Sequence, residues 1–455
     1  MSRAKKSRRN RKARTCKKTP AYPHPLTAAM ADLLGSLLKA TRKPRGLLWT
    51  SALLCICAVL MSWDPSPSLA RRFGAAGASL PLLLPRRRRG NTYQGFIKAL
   101  RRRSDLLGLV AGHLREAMRQ MAGPHWLREG WCAFAIDSSK FNCPRTAANE
   151  KAFGCASKKG KTQGIPQQYL TTAWHMGTGL PWAWQAGPGA SSERKQRVWL
   201  LPLLPEASML VADAGFVGYD LLKTIQATGR SFLIRVGSNV SLLKKLGVYR
   251  EKKDTVYLWP AYDRRSQTRR QRNAPMVLRL IRVHQPGKKT VYLLTNVHSA
   301  AKLPLKSAQV LYQMRWGIEV FFRSLKQQLQ RRKLCSAAPT QATLELHWAV
   351  TGIWVLGLLA VQRVLEANKD PLSFSVALAL VCLHRASQTS AAQRFPLREQ
   401  LALALKDDYV RHGSKSSRPW PRRKKARPPG APKLRLANPT EIRLAKEFHG
   451  KLIAA

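Results

Sequence analysis

Acidic side chains are what this 455-residue chain has least of: 23 Asp and Glu stand against 80 Lys and Arg, a formal net charge of +57. That imbalance excludes a self-neutralising surface. A polyanion or bulk solvent must offset it, and nucleic acid is the partner the charge predicts, ahead of a membrane surface or an acidic protein, through phosphate neutralisation and counterion release. Cysteine is sparse too. Eight residues, none in a Cys-x-x-Cys pair, exclude a disulfide framework and give zinc little support, so buried free thiols in a reducing cytoplasm are expected. There is no Gly-rich phosphate loop and no internal repeat. Leu47 to Trp63 is uncharged and follows Arg42, Lys43 and Arg45. However, about 17 residues is the lower limit for a bilayer span, and the segment before it is too long for a signal n-region. It reads as a buried helix, and no membrane contact is expected.

The chain that remains is long enough for roughly two or three domains and an ample core. Residues 1–24 are a basic tail with almost nothing to bury, which predicts disorder and non-specific phosphate binding. Residues 25–128 have helical spacing. Leu33, Leu34, Leu37 and Leu38 make one apolar face; Phe96, Leu100, Leu106, Val110, Leu114 and Met118 make another. Arg86 to Arg89 and Arg101 to Arg103 supply basic surface, so this region reads as a small DNA-binding bundle without a helix-turn-helix signature. Residues 129–236 and 301–340 read as an α/β core. Trp131 to Ile136 forms a strand ending in Asp137, Tyr169 to Met176 a second and Met209 to Ala212 a third ending in Asp213; Tyr219 to Thr228 is a helix closing on Gly229, and Phe232 to Val236 another strand. Residues 237–300 read as an all-β insertion, with strands at Thr255–Trp259, Met276–Val283 and Thr290–Thr295. A long helix from about Ser307 to Leu334 follows, then apolar helices at Leu344–Leu365 and Ser373–Leu383 within a helical region over 341–410, and a basic, Pro-rich tail over 411–455.

Scarcity makes the carboxylates informative. Asp137 and Asp213 each close an apolar strand, and neighbouring strands would bring them to one sheet edge. On the long helix, Tyr312, Arg315, Glu319 and Lys326 are offset by 0, 3, 7 and 14 residues; at about 100° per residue all four fall within a stripe about 60° wide. A stripe presenting a phenol, a guanidinium, a carboxylate and an ammonium suits a metal and phosphates better than a hydrophobic seam. Phosphodiester cleavage develops charge on the attacking and leaving oxygens, and two Mg²⁺ ions held by hard carboxylates stabilise both.

The bland readings stand beside these. Asp137 and Asp213 are also the residues expected of turns and caps after strands, and Glu319 can simply pair with Arg315 or Arg323 on a solvated helix. Tyr312 and Trp259 can be packing residues. His175 and His347, in apolar runs, read as satisfied core histidines, and Arg194, Lys195 and Arg197 read equally as a DNA track or a solvated loop.

The spacing Tyr312-(2)-Arg315-(3)-Glu319-(6)-Lys326 resembles the Y-R-E-K signature of bacterial insertion-sequence transposases of the insertion-sequence-4 family. Asp137-Ser138-Ser139 and Asp213-Ala214-Gly215-Phe216 resemble that family's two aspartate motifs, in the same order, over about residues 130 to 335. The gap from Asp213 to Glu319, 319 − 213 = 106 residues, is too long for a bare ribonuclease-H-like core, and family members carry a β insertion there. The resemblance implies a ribonuclease-H-like core with a DDE triad (Asp137, Asp213, Glu319) that ligates Mg²⁺, with Mn²⁺ as a substitute. It also implies recognition of terminal inverted repeats, hydrolytic nicking, strand transfer by the freed 3′-hydroxyl, and a homodimer on two element ends in the bacterial cytoplasm at the nucleoid. Tyr312, Arg315 and Lys326 would contact DNA, as would Trp259 if it is the counterpart of the aromatic that assists hairpin formation in some members. The rivals are a non-catalytic nucleic-acid-binding protein, another nuclease on the same core, a membrane protein, and an inactive relic.

Overall fold

The computed structural model describes residues 24–37, 48–84, 90–155, 164–190, 199–260, 270, 272–284, 286, 289–390, 395–407 and 430–448. The tail over 1–23, Arg86 to Arg89, Arg194, Lys195, Arg197 and the basic stretch 411–429 lie outside the described residues. Five helices come first: α1 Pro25–Leu34, α2 Ser51–Trp63, α3 Leu69–Leu83, α4 Tyr93–Arg102 and α5 Leu106–Ala122. Next come β1 Ala133–Asn142, α6 Ala147–Phe153, β2 Gln167–His175, β3 Leu180–Pro188, β4 Met209–Ala212, α7 Tyr219–Ala227 and β5 Ser231–Val236. Strands β6 Ser241–Lys244, β7 Thr255–Leu258, β8 Met276–Val283 and β9 Val291–Thr295 precede helices α8 Leu305–Met314, α9 Trp316–Arg323, α10 Pro339–Glu366, α11 Val376–Gln388 and α12 Leu397–Ala402. The described chain closes with β10 Lys433–Leu436 and α13 Pro439–Lys446.

All ten strands join one sheet in the order β10-β6-β7-β8-β9-β5-β4-β1-β2-β3. Within it, β3-β2-β1 are antiparallel neighbours, and β4 and β5 run parallel to β1. This is the ribonuclease-H-like arrangement. The insertion strands extend the same sheet: β9 pairs antiparallel with β5, and β8, β7 and β6 follow antiparallel. They do not stand apart as a separate unit, because the edge of β5 would otherwise expose unpaired backbone groups. The tail also contributes. Strand β10 pairs parallel with β6, and Asn438 and Glu441 form a capping box that starts α13.

Sequence periodicity misplaced several elements. Strand β1 does not end at Asp137; it continues to Asn142 because Asp137 to Asn142 keep pairing with Thr172 to Gln167 of β2. Strand β3 was missed, since Pro181, Gly187 and Pro188 in its sequence resemble loop punctuation. The apolar stripe from Phe96 to Met118 is two helices, broken between Arg102 and Leu106. The long helix over 307–334 is broken as well: α8 ends at Met314, α9 ends at Arg323, and Ser324–Gln328 form a π-helical turn.

The helices gather round α10. By length and composition α10 could cross a membrane, yet 83% of its most apolar window is buried inside the molecule, which explains its apolar character on all sides. It packs on β3 and is flanked by α2, α5, α11 and α12. The segment 47–63 supplies α2, whose residues from Ala52 to Trp63 are all buried, capped by Thr50, which accepts from the Leu53 amide. A Cβ at Gly352 of α10 would overlap Ser62, so this glycine sets the close crossing of α2 and α10. Trp63 seals the contact, its indole N–H donating to the Gly352 carbonyl at 2.9 Å.

Candidate active site

The site is built where the parallel ladder stops. Strands β1 and β4 are paired in register up to Ile136 and Ala212. The next residue on each strand is an aspartate, so Asp137 and Asp213 leave the ladder side by side. Each carboxylate is fixed by a local amide: Ser138 N–H donates to Asp137 Oδ1 at 2.8 Å, and Ala214 N–H to Asp213 Oδ1 at 2.6 Å. Asp213 thereby caps the short turn Ala214–Phe216.

Helix α9 packs on β1 and brings Glu319 in its first turn. The approach depends on Gly317, where a Cβ would overlap the Trp174 ring of β2. Arg315 sits at the junction of α8 and α9 with 8% of its surface exposed. Its Nη2 donates to Glu319 Oε1 at 2.8 Å, and its guanidinium lies 5.7 Å from the Tyr312 ring centre. The π-helical turn delivers Lys326, whose Nζ donates to Ser139 Oγ at 2.7 Å and lies 5.1 Å from the Phe141 ring centre. Ser139 is two residues beyond Asp137 on the same strand and therefore on the same face.

Electrostatics tie the group together. Burial pushes the Asp137 carboxyl up to about 6. The Ser138 amide and Arg315 oppose the shift, and the charges of Glu319 and Asp213 reinforce it. Burial raises the Tyr312 hydroxyl, helped by Asp213 and opposed by Arg315 and Arg235. For Arg315, burial works downward but is outweighed by the hydrogen bond to Glu319 and by Tyr312, Asp213 and the Glu319 charge, so it is held above its usual value. Burial, helped by the charge of Arg332, lowers Lys326.

Six of the seven residues singled out in the sequence thus share one neighbourhood: Asp137, Asp213, Tyr312, Arg315, Glu319 and Lys326. Trp259 does not join them. It is 5% exposed, its indole N–H donates to the Asn273 carbonyl at 2.6 Å, and the Arg270 guanidinium lies 5.2 Å from its ring. It lines a cleft of about 550 Å³ between the insertion and the loop after Asp213, in a packing role. His175 is a core histidine bonded to Thr178 and the Trp126 carbonyl, and His347 is a half-buried one that accepts from the Trp184 indole; burial lowers both to about 4.

Three carboxylates have the donor chemistry a divalent cation needs, and Asp137 is held high chiefly by its burial. As placed, however, no group of three or more His, Cys, Asp or Glu side chains among the described residues is arranged to hold a metal ion. One Glu319 oxygen is engaged by Arg315 instead. Two neighbours had no role assigned from sequence: Ser139, visible only as part of the Asp137-Ser138-Ser139 motif, and Arg235, visible only as a charge inside the strand Phe232-Leu233-Ile234-Arg235-Val236.

Residues 130–355 match the family model of the transposase DDE domain. The chain is similar to the transposase InsG for insertion sequence element IS4 of Escherichia coli (strain K12), at 27% identity over 332 residues spanning 68% of this chain and 71% of that protein. Among solved structures it is similar to the piggyBac transposase in the cryo-EM structure of its synaptic complex with hairpin DNA, at 13% identity and a TM-score of 0.38, over 86% of this chain and 85% of the other.

Proposed function

Since this chain is a DDE transposase of the insertion-sequence-4 type, we propose that it binds the terminal inverted repeats of a bacterial insertion sequence, cleaves DNA at the element ends and joins the freed 3′-hydroxyl to target DNA. Asp137, Asp213 and Glu319 would hold Mg²⁺, with Mn²⁺ as a substitute, and the bound cation would supply Lewis-acid activation of the attacking oxygen and charge stabilisation of the leaving one. The protein's own part is positioning. Asp137 and Asp213 come from rigid strands, and Glu319 closes over them from α9. Asp137 must give up the proton that burial favours before it can ligate. Arg315 and Lys326 bind backbone phosphate oxygens, Arg315 by its planar fork and Lys326 as a point charge, and the Tyr312 hydroxyl orients a phosphate.

The observation that carries the reading is the side-by-side exit of Asp137 and Asp213 from the β1/β4 ladder beneath the helix that bears Glu319. Around this core, 25–128 is the end-binding region, 237–300 the insertion and 341–410 the region of dimer or partner-strand contact, with two copies holding two ends at the bacterial nucleoid. The net charge of +57 supplies the non-specific affinity. The test is cleavage of supercoiled DNA carrying the flanking element ends, comparing the native protein with Glu319→Gln in Mg²⁺ and in EDTA. Cutting at the ends that requires the metal and vanishes in Glu319→Gln is expected, with joined products. Tight binding without cutting by the native protein, in Mg²⁺ or Mn²⁺, would leave a binding protein or a relic.

A further inference from the structure

Arg315 is a cationic group that interacts with all three carboxylates. It bonds Glu319 directly, its charge favours ionised Asp137, and the charge of Asp213 favours its own protonated form. It is also incompletely used. Nε and Nη2 form the side-on edge of a guanidinium, the edge that grips a carboxylate or phosphate through two parallel hydrogen bonds. Here Nη2 is on Glu319 Oε1, while Nε is buried without an acceptor. An unsatisfied N–H on a side chain nine-tenths buried is costly, and it marks the place of an anionic group whose oxygens take both hydrogens at once.

We propose that Arg315 is the internal counter-ion of the metal-free site, and that a DNA phosphate draws its fork off Glu319, so that divalent-cation affinity rises when DNA binds. This rests on the ligand set proposed above. Free of DNA, the guanidinium neutralises Glu319 and competes with a cation for the acidic edge. With a phosphate on Nε and Nη2, the Glu319 oxygen becomes available. Linkage makes the effect reciprocal: the cation strengthens DNA binding by the same factor. A transposase built this way does not arm its metal site until an end is in place.

The experiment is a Mn²⁺ titration of the full-length protein, followed by the electron paramagnetic resonance of free Mn²⁺, with and without a duplex carrying one element end, binding to the duplex alone being subtracted. The native protein is expected to bind Mn²⁺ at least about tenfold more tightly with DNA, within the usual range of such couplings. Arg315→Gln is expected to bind about fivefold or more tightly than the native protein without DNA, and to gain less than about twofold from DNA. Arg315→Lys keeps the charge but not the fork, so it is expected to stay weak without DNA and to gain little from it; thermal melting checks that both variants are folded. Native-like Mn²⁺ affinity in Arg315→Gln without DNA would overturn the counter-ion role, as would a full DNA-induced gain in Arg315→Lys. Glu319→Gln separates the two levels: if it leaves Mn²⁺ binding unchanged in both states, the ligand set itself fails, and the counter-ion role with it.

Discussion

Glu345 and Asp137 are both carboxylates drawn out of water in a chain that has few of them, yet their surroundings treat them in opposite ways. Glu345, on α10, has 5% of its side chain exposed and is saturated. Arg72 of α3 donates to it at 2.8 Å, the amides of Cys335 and Ser336 at 2.9 and 3.2 Å, and the Ser336 hydroxyl at 3.2 Å. Its partner Arg72 also donates to the Ser66 carbonyl. Arg331, 1% exposed, completes the cluster by donating to the carbonyls of Met61, Ser62 and Asp64 at the end of α2. Asp137 is instead pushed up to about 6 by burial, has two more carboxylates nearby, and shares an arginine whose Nε lacks an acceptor. The Arg72–Glu345 cluster is closed on itself, whereas the Asp137 cluster keeps a buried donor for which a ligand could supply the acceptor.

The largest effect that would break this contrast is at Glu345. Glu345→Ala leaves Arg72 buried without its counter-charge and should cost about 3–5 kcal/mol in urea unfolding; a loss below about 1 kcal/mol would mean that the cluster is not the closed structural unit described. The next is at Asp137 and has the opposite sign. A carboxyl whose folded value is raised favours the folded state below its unfolded value near 4, and that contribution is lost as the pH climbs through about 6. In EDTA, Asp137→Asn should therefore match the native protein at pH 4 and be more stable by about 2 kcal/mol at pH 8. Equal stability at both pH values would remove the electrostatic tension assigned to the site. The smallest effect is expected at Ser139, which only steers Lys326. Ser139→Ala should slow end cleavage about tenfold and change stability by less than about 1 kcal/mol; a drop in stability as large as that of Glu345→Ala would place Ser139 in the structural class instead.

The same contrast explains what could be read in the sequence. Strand ends bearing Asp137 and Asp213 were legible because an acid after an apolar run is conspicuous in a basic chain, and Glu319 because its helical offsets from Tyr312, Arg315 and Lys326 are local. Arg72 and Glu345 were not legible, for they lie 273 residues apart and meet only in the fold, where Arg72 of α3 reaches Glu345 of α10. Strand β10 was hidden for the same reason, its partner β6 lying nearly two hundred residues earlier behind a basic stretch. The broken signature helix was hidden because a π-helical turn shifts the register without a Pro or Gly to announce it. Lys326 nevertheless reaches the site, since Ser139 of β1 holds its ammonium. Trp259 had β-strand sequence on both sides, and only the fold places Arg270 over its ring.

Asp137 of β1, Asp213 after β4 and Glu319 of α9 are proposed together to hold the metal on which cleavage depends, and a change of ligand softness probes that set. With Asp213→Cys, a thiolate replaces a hard oxygen donor, and Mg²⁺ accepts thiolate poorly whereas Mn²⁺ accepts it better. Single-turnover cleavage of an element-end duplex should then be lost in Mg²⁺ and partly restored in Mn²⁺, with the native protein active in both. Undiminished cleavage by Asp213→Cys in Mg²⁺ would contradict the account.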